Sequence, residues 1–431
     1  KWDADAWSPD LIGRRLANWL GQFEFFAASA EIEFRRDLIQ SIDRQAFHLA
    51  HVLPAGLYGS TMISTLKGLI FAGVALPGAD GLREKGLVML GREISRQLLP
   101  DGGHIERSPA TQLSVLRDLM DIRAALTAAD APNPDFLEKA ISVMAPVLRL
   151  LQHGDGKLAL FNGTNEGDSL HIDLVLQRSP GPKRPLMSAP DSGFQRLQSA
   201  RSVVIADVGQ PPPSAYDHEA HAGTGSFEFS VGRERIIVNC GAQIGPPELR
   251  MAQRSTAAHS TLVLGDRNST PINEDGGFAT RPGKIFNRRV EDEDGNHLLE
   301  LTFDGYYSRL GALHHRSVYL SASGTDLRGE DRLEYPEGGG EGQSFAIRFH
   351  LHPDVKTVIS QGSTAVFIST KKAGGWRLRS TGAKLALESS IYLGEPANMR
   401  RSQQIVLYGK AINSQALVKW ALRKENKSQA P

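Results

Sequence analysis

Three histidines lie within Ser214 to Leu264, SAYDHEAHAGTGSFEFSVGRERIIVNCGAQIGPPELRMAQRSTAAHSTLVL, among residues that read as strands. His218 and His221 come just before the alternating Phe227, Phe229 and Val231, and His259 opens the apolar run Thr261 to Leu264. Gly232 and Arg233 sit where a tight reversal would fall, and Ile236 to Val238 returns as a β-branched run, so the pattern is that of a β-hairpin. Three imidazoles so placed could converge at one sheet edge, where they would bind metal, move protons or pair with an acidic ligand. The competing reading is three polar residues in loops.

A second cluster is LPDGGHIERSP, Leu99 to Pro109, which closes one helix pattern and opens the next. His104, Glu106 and Arg107 there could combine proton transfer with anion binding. They could equally form a helix start, with Glu106 on the dipole and Ser108 as a cap. In LALFNGTNEGD, Leu158 to Asp168, the amides of Asn162 and Asn165 and the carboxylate of Glu166 suit either a sugar or a turn. ALHHRS and RFHLHPD add four histidines, for which a structural network is favoured over a metal site. No nucleotide-binding glycine loop, HExxH, CxxC or GxSxG occurs in a fitting context.

The elements that must position these groups fall into two halves. From Trp7 to about Gly154 the periodicity is helical, with segments at roughly 34–53, 59–76, 82–99, 110–129 and 135–152 separated by Pro and Gly. Short connections predict helical hairpins. After the Pro-rich link SPGPKRP nearly everything alternates with a period of two, which predicts an antiparallel sandwich. The predicted division is a helical domain over 1–185 and a β-sandwich over 190–431, ending in a mobile polar tail after Arg423.

Composition bounds the function. The 431 residues are 40% hydrophobic and 23% charged, enough for two or three buried cores. Lys and Arg (49) nearly cancel Asp and Glu (48), which argues against a nucleic-acid binder with a broad basic surface. The single Cys240 excludes an intrachain disulfide framework, and no apolar run is long enough for a membrane span.

The segments DGGHIERSP, HAGTGSFEFSVGRERIIVNCG, RSTAAHSTLVL, DGYYSRLGALHHRSVYLSASGTDLRGEDRL and RFHLHPD resemble the heparinase II/III-like family of polysaccharide lyases, most strongly over about 190–355. The resemblance implies an incomplete α/α toroid followed by an antiparallel β-sandwich, further helices ahead of Lys1, and a periplasmic or cell-envelope setting. It implies β-elimination at a uronic acid of an acidic polysaccharide: one group neutralises the carboxylate, a base takes the C5 proton and an acid protonates the leaving oxygen. His104 falls where the family has its carboxylate-neutralising residue. His221, Asn239 and His259 fall where some members hold a structural divalent metal such as zinc, though an Asn carbonyl is a poorer zinc ligand than a carboxylate. No cofactor is otherwise implied.

The family's toroid tyrosine has no counterpart, since no Tyr occurs between Tyr58 and Tyr216, and its His-x-His is replaced by His218-Glu219-Ala220-His221. Tyr216 and His218 become the acid and base candidates. Glu106, Arg107, Asn162 and Arg254 become the substrate contacts. Two rivals stand beside the lyase: a noncatalytic glycan-binding protein on the same scaffold, and a glycoside hydrolase using Asp101, Glu106 or Asp118.

Overall fold

The computed structural model describes residues 3–425. The polar tail predicted to be mobile lies, from residue 426 onward, outside the described residues. The chain forms two compact units, one helical and one rich in strands, and the fold class is the predicted one of helices followed by antiparallel sheets.

The strand-rich unit takes in residues 107–110, 147–174 and 184 onward. Its first sheet runs, in spatial order, through Ser188–Ala189, Phe194–Ser199, Ser202–Asp207, Phe227–Val231, Glu234–Val238, Ser344–Leu351, Arg400–Lys410 and Lys384–Tyr392. Leu262–Leu264 pairs with Ser344–Leu351 off that path. The second sheet runs Lys356–Ile359, Val366–Ser369, Gly375–Thr381, Gln415–Lys424, Asp326–Glu334, Ala312–Leu320, His297–Tyr306 and Ile285–Glu291. The predicted hairpin is present, with Gly232 turning at φ 60°. Phe229, Leu301, Phe303, Phe349, Trp376 and Trp420 fill one apolar core shared by strands of both sheets.

Burial explains the strand patterns. Ala312–Leu320 alternates strictly between buried and half-buried residues, the mark of a strand with one face on the core. Ser202–Asp207 and Phe227–Val231 are buried throughout. The second face of Ser202–Asp207 is covered too, where Val147, Leu150, Leu151, Ala159 and Phe161 pack with Phe194, Val203 and Ile205 in a separate core, and on Phe227–Val231 His153 bonds Ser230 and Glu228. Residues 147–161 therefore serve the sheet, although their helical or loop character groups them by sequence with the helices.

The helical unit holds Pro9–Gly21, Ile32–Val52, Gly59–Ala75, Asp80–Gln97 and most of Pro109–Ala128 and Asp135–Leu150. Five of these match the periodicity. Pro9–Gly21 lies inside the stretch read as helical but outside the five segments, although Pro9 at its first position is a start signal. Glycine sets the closest approach. A Cβ at Gly68 would lie 2.1 Å from the Gly13 carbonyl oxygen, and one at Gly13 would lie 2.5 Å from Thr65 Cα, so Pro9–Gly21 and Gly59–Ala75 touch backbone to backbone.

Gly68→Ala should therefore destabilise the protein by about 1–3 kcal/mol through overpacking. Gly81→Ala, with nothing within 4 Å, should stabilise it by about 0.5–1 kcal/mol through helix propensity. Urea unfolding of the two variants checks both signs, and an unchanged midpoint for Gly68→Ala would remove the contact from any account of stability.

Candidate functional site

His221 and His259 meet inside the strand-rich unit, 5% and 2% exposed, with Nδ1 of His221 3.0 Å from Nε2 of His259. Their partners assign the protons. The Gly163 N–H donates to Nε2 of His221 at 2.9 Å, and Nδ1 of His259 lies 2.8 Å from the Ser255 carbonyl, which can only accept. Nδ1–H of His221 must then donate to Nε2 of His259, and both rings are neutral. Burial lowers His259 to about 4, against the Ser255 carbonyl that favours its proton. Burial also holds His221 well below the ordinary imidazole value, reinforced by His259 and Arg254. Gly223 makes room for the pair, since a Cβ there would lie 2.7 Å from His259 Cδ2.

The loop ahead of this pair carries Tyr216 and His218, both half-buried, with Tyr216 ending the short 3-10 turn Ser214–Tyr216. Three arginines hold it. Arg254 donates to the carbonyls of Ala220, Asp217 and Gly276 at 2.7, 3.0 and 2.6 Å. Arg250 reaches the His218 carbonyl at 3.1 Å and pairs with Glu219. Arg281 pairs with Asp217, whose Oδ2 also accepts the Phe278 N–H at 3.1 Å. Arg254, expected to contact substrate, is thus a buried collector of carbonyls, although its Nη1 has no hydrogen-bond partner among the described residues. Asp217, Arg250 and Arg281 were missed. Only the loop's density of charge hinted at them.

Arg107 departs from expectation in the same way. It sits at φ 54°, is 6% exposed, and donates to the carbonyls of Ser192 at 2.6 Å, Gln210 at 2.7 Å and Gly193 at 3.4 Å. It also pairs with Asp207, whose carboxyl burial raises even against that guanidinium. Asn162 links two segments: its Nδ2 donates to the Arg107 carbonyl at 2.8 Å, and its Oδ1 accepts the His221 N–H at 2.9 Å. A substrate contact by either side chain would require giving up these bonds.

His104 and Glu106 belong to the helical unit. His104 is 2% exposed, accepts the Glu106 N–H on Nδ1 at 3.2 Å, and has Nε2 2.9 Å from Gln97 Oε1. Burial lowers it to about 4, opposed by Glu106. Glu106 accepts from the Ser60 N–H at 2.9 Å near the start of Gly59–Ala75, and from Thr111 Oγ1 at 3.0 Å. Among the carboxylates of the hydrolase alternative, Asp118 pairs with Lys67 at 3.1 Å and Asp101 accepts the Gly103 N–H at 2.8 Å.

As placed, the three residues read as a metal site make hydrogen bonds within the protein. The His221 and His259 lone pairs are engaged as above, and Asn239 Oδ1 accepts the Ser260 N–H at 2.9 Å. Among the described residues no group of three His, Cys, Asp or Glu side chains converges at ligand spacing. Two of the four further histidines are in buried networks: His314 bonds Asp331 at 2.8 Å, and His350 lies between Ser390 Oγ at 2.8 Å and the Ala257 carbonyl at 2.9 Å. Buried Cys240 has its thiol pushed up to about 12. A further buried network joins Glu166 to Tyr392 at 2.5 Å, to Lys157 and to His352 at 3.4 Å. Burial would raise Glu166, but His352, Arg235, Lys157 and Tyr392 hold it well below the carboxylate range.

Residues 181–421 match the family model described as heparinase II/III-like, C-terminal, and residues 2–162 match the heparinase II/III N-terminus. The chain is 29% identical over 440 residues to FtsZ-localized protein C of Caulobacter vibrioides (strain NA1000 / CB15N), covering 98% of this chain and 75% of that one. It is 28% identical over 296 residues to a heparin-sulfate lyase of Bacteroides stercoris, covering 61% of this chain and 44% of the lyase. Among solved structures, a heparinase III superposes with a TM-score of 0.76 at 16% identity, over 99% of this chain and 68% of that one. Heparan sulfate lyase HepC from Pedobacter heparinus gives 0.73 at 18%, over 99% and 69%.

Elemental analysis of protein never exposed to chelator should find less than about a tenth of an equivalent of any transition metal. A stoichiometric metal that His259→Ala removes would show that the histidine pair opens to bind it.

Proposed function

The chain belongs to the heparinase II/III-like family, and from that premise we propose that it recognises an acidic polysaccharide on the lyase scaffold without cleaving it. One observation carries this reading. His104, which falls where the family neutralises the uronate, is a buried neutral imidazole with Nδ1 accepting from Glu106 and Nε2 directed at Gln97. It has no N–H left for a carboxylate, and an enolate forming at C5 would lack its main source of stabilisation. The absence of any tyrosine between Tyr58 and Tyr216 supports the same conclusion, because elimination needs a group to take and return a proton.

Elimination is the second reading, favoured by the half-buried placement of Tyr216 and His218 on one loop. In that case His218 or Tyr216 takes the C5 proton and the other protonates the oxygen leaving C4. Incubation with heparan, chondroitin, hyaluronan, alginate and bacterial exopolysaccharides separates the two. The expected result is saturable binding with no rise in the ultraviolet absorbance of an unsaturated uronate. A rise that Tyr216→Phe or His218→Ala abolishes would replace recognition by catalysis.

The Caulobacter relative is named for localisation with FtsZ, and we extend that place to this chain. This differs from the periplasmic or envelope setting implied by the lyase resemblance. No helix among the described residues is long and apolar enough to cross a membrane. A fluorescent fusion of the full chain should coincide with FtsZ in its own cells, and a uniform signal would set that extension aside.

A further inference from the structure

The outer face of the second sheet carries a groove of about 610 Å³, within the range of small-ligand sites. Its register is explicit. Tyr319, Arg328, Ala421 and Arg379 are direct cross-strand neighbours in one row, and Ser317, Glu330, Lys419 and Thr381 form the next. Strand alternation sends both rows outward, because the flanking Leu320, Leu327, Leu422 and Leu378 are buried in the core. Neighbouring strands lie about 4.8 Å apart, so Arg328 and Arg379, two strands apart, stand about 10 Å from each other at the backbone. Small Ala421 forms the floor between them.

We propose that this face is a second binding surface for an acidic polysaccharide, independent of the His221–His259 region. It shares with the reading above only the ligand class. Cations predominate: Arg328, Arg379, Lys419 and Arg423 face Asp326 and Glu330. Among the described residues Arg379 has no ion-pair partner, and its planar fork suits the two oxygens of a uronate. Lys419, well exposed, sits 3.4 Å from the half-buried Glu330, a pair at the surface that gives way cheaply to a ligand carboxylate.

The rest of the groove suits sugar rings. The Tyr319 hydroxyl donates to Asn296 Oδ1 at 2.9 Å, which fixes the ring, and the Arg328 guanidinium lies 5.8 Å from its centroid. Arg328 is itself held by Asp326 at 2.9 Å, so the platform is ordered before a ligand arrives. Ser317 and Thr381 add hydroxyls along the same groove. The carboxylates of Asp326 and Glu330 would repel the dense charge of a nucleic acid, whose phosphates are closer together than one uronate per sugar or two. That, with a net charge of only +1, commits the surface to a glycan.

The test is affinity electrophoresis of the full chain through gels containing polygalacturonate, alginate, uncharged dextran or single-stranded DNA. Wild type should be retarded by the polyuronates alone. Arg328→Ala/Arg379→Ala should weaken that retardation at least about tenfold at an unchanged melting temperature, and Glu330→Gln should strengthen it by removing the like charge. Retardation that survives the double variant overturns this surface while leaving the recognition reading intact. No retardation of wild type by either polyuronate likewise overturns this surface, with the recognition reading decided by the wider polysaccharide panel, and equal retardation by DNA overturns the choice of glycan.

Discussion

The ion pair of Arg316 and Asp331, at 2.7 and 3.1 Å and almost fully buried, is the contact on which the strand-rich unit turns. Burial alone would raise the Asp331 carboxyl, but Arg316 and His314 overcome it and hold it well below the carboxylate range. Asp331 also accepts from Trp420 Nε1 at 3.0 Å. Arg316 Nη1 crosses to the carbonyls of Gly225 and Ser260 at 2.7 and 2.9 Å. Those two residues belong to the segments bearing His221 and His259, so the second sheet fixes the loops that carry the imidazoles. Removing one partner would strand a buried charge, a cost of about 3–5 kcal/mol.

The same economy recurs at Arg107, Arg196, Arg235 and Arg254. Each places its guanidinium on carbonyls that no strand ladder satisfies; Arg196, for example, reaches the Leu150 and Gln152 carbonyls at 3.0 and 2.8 Å. Arg235 joins the Leu158 carbonyl at 2.9 Å to Asp155 at 2.8 Å. A guanidinium has five donors in a rigid fork, so one side chain can gather several loop segments. In the strand-rich unit, loop segments distant in sequence are thereby drawn together around arginines.

Much of the fold was legible because burial leaves a period. Five helices and the Phe227–Val238 hairpin followed from spacing alone. Strands such as Lys384–Tyr392, only partly buried and mixed in character, lacked that signal. The helix Pro247–Arg254, short and polar in composition, lacked an apolar period despite its proline start. At the site, histidine and arginine positions were readable but their directions were not. Whether Arg254 faces a ligand or three carbonyls depends on where Ala220, Asp217 and Gly276 fold, and nothing local to Arg254 encodes that. Asn162 is similar: Asn-Gly announces a turn, yet not that the turn would link Arg107 to His221.

The chain of bonds from the Gly163 N–H through His221 and His259 to the Ser255 carbonyl has one further property. All three protons point the same way, and both ends are peptide groups, which neither release nor take up a proton near neutral pH. Reversing the sequence would require Gly163 to surrender its amide hydrogen. The pair is therefore an insulated thread rather than a conductor: its dipoles add along one direction, and no proton can enter at one end and leave at the other. Two histidines in hydrogen-bond contact, ordinarily a sign of proton traffic, here form a stationary strut.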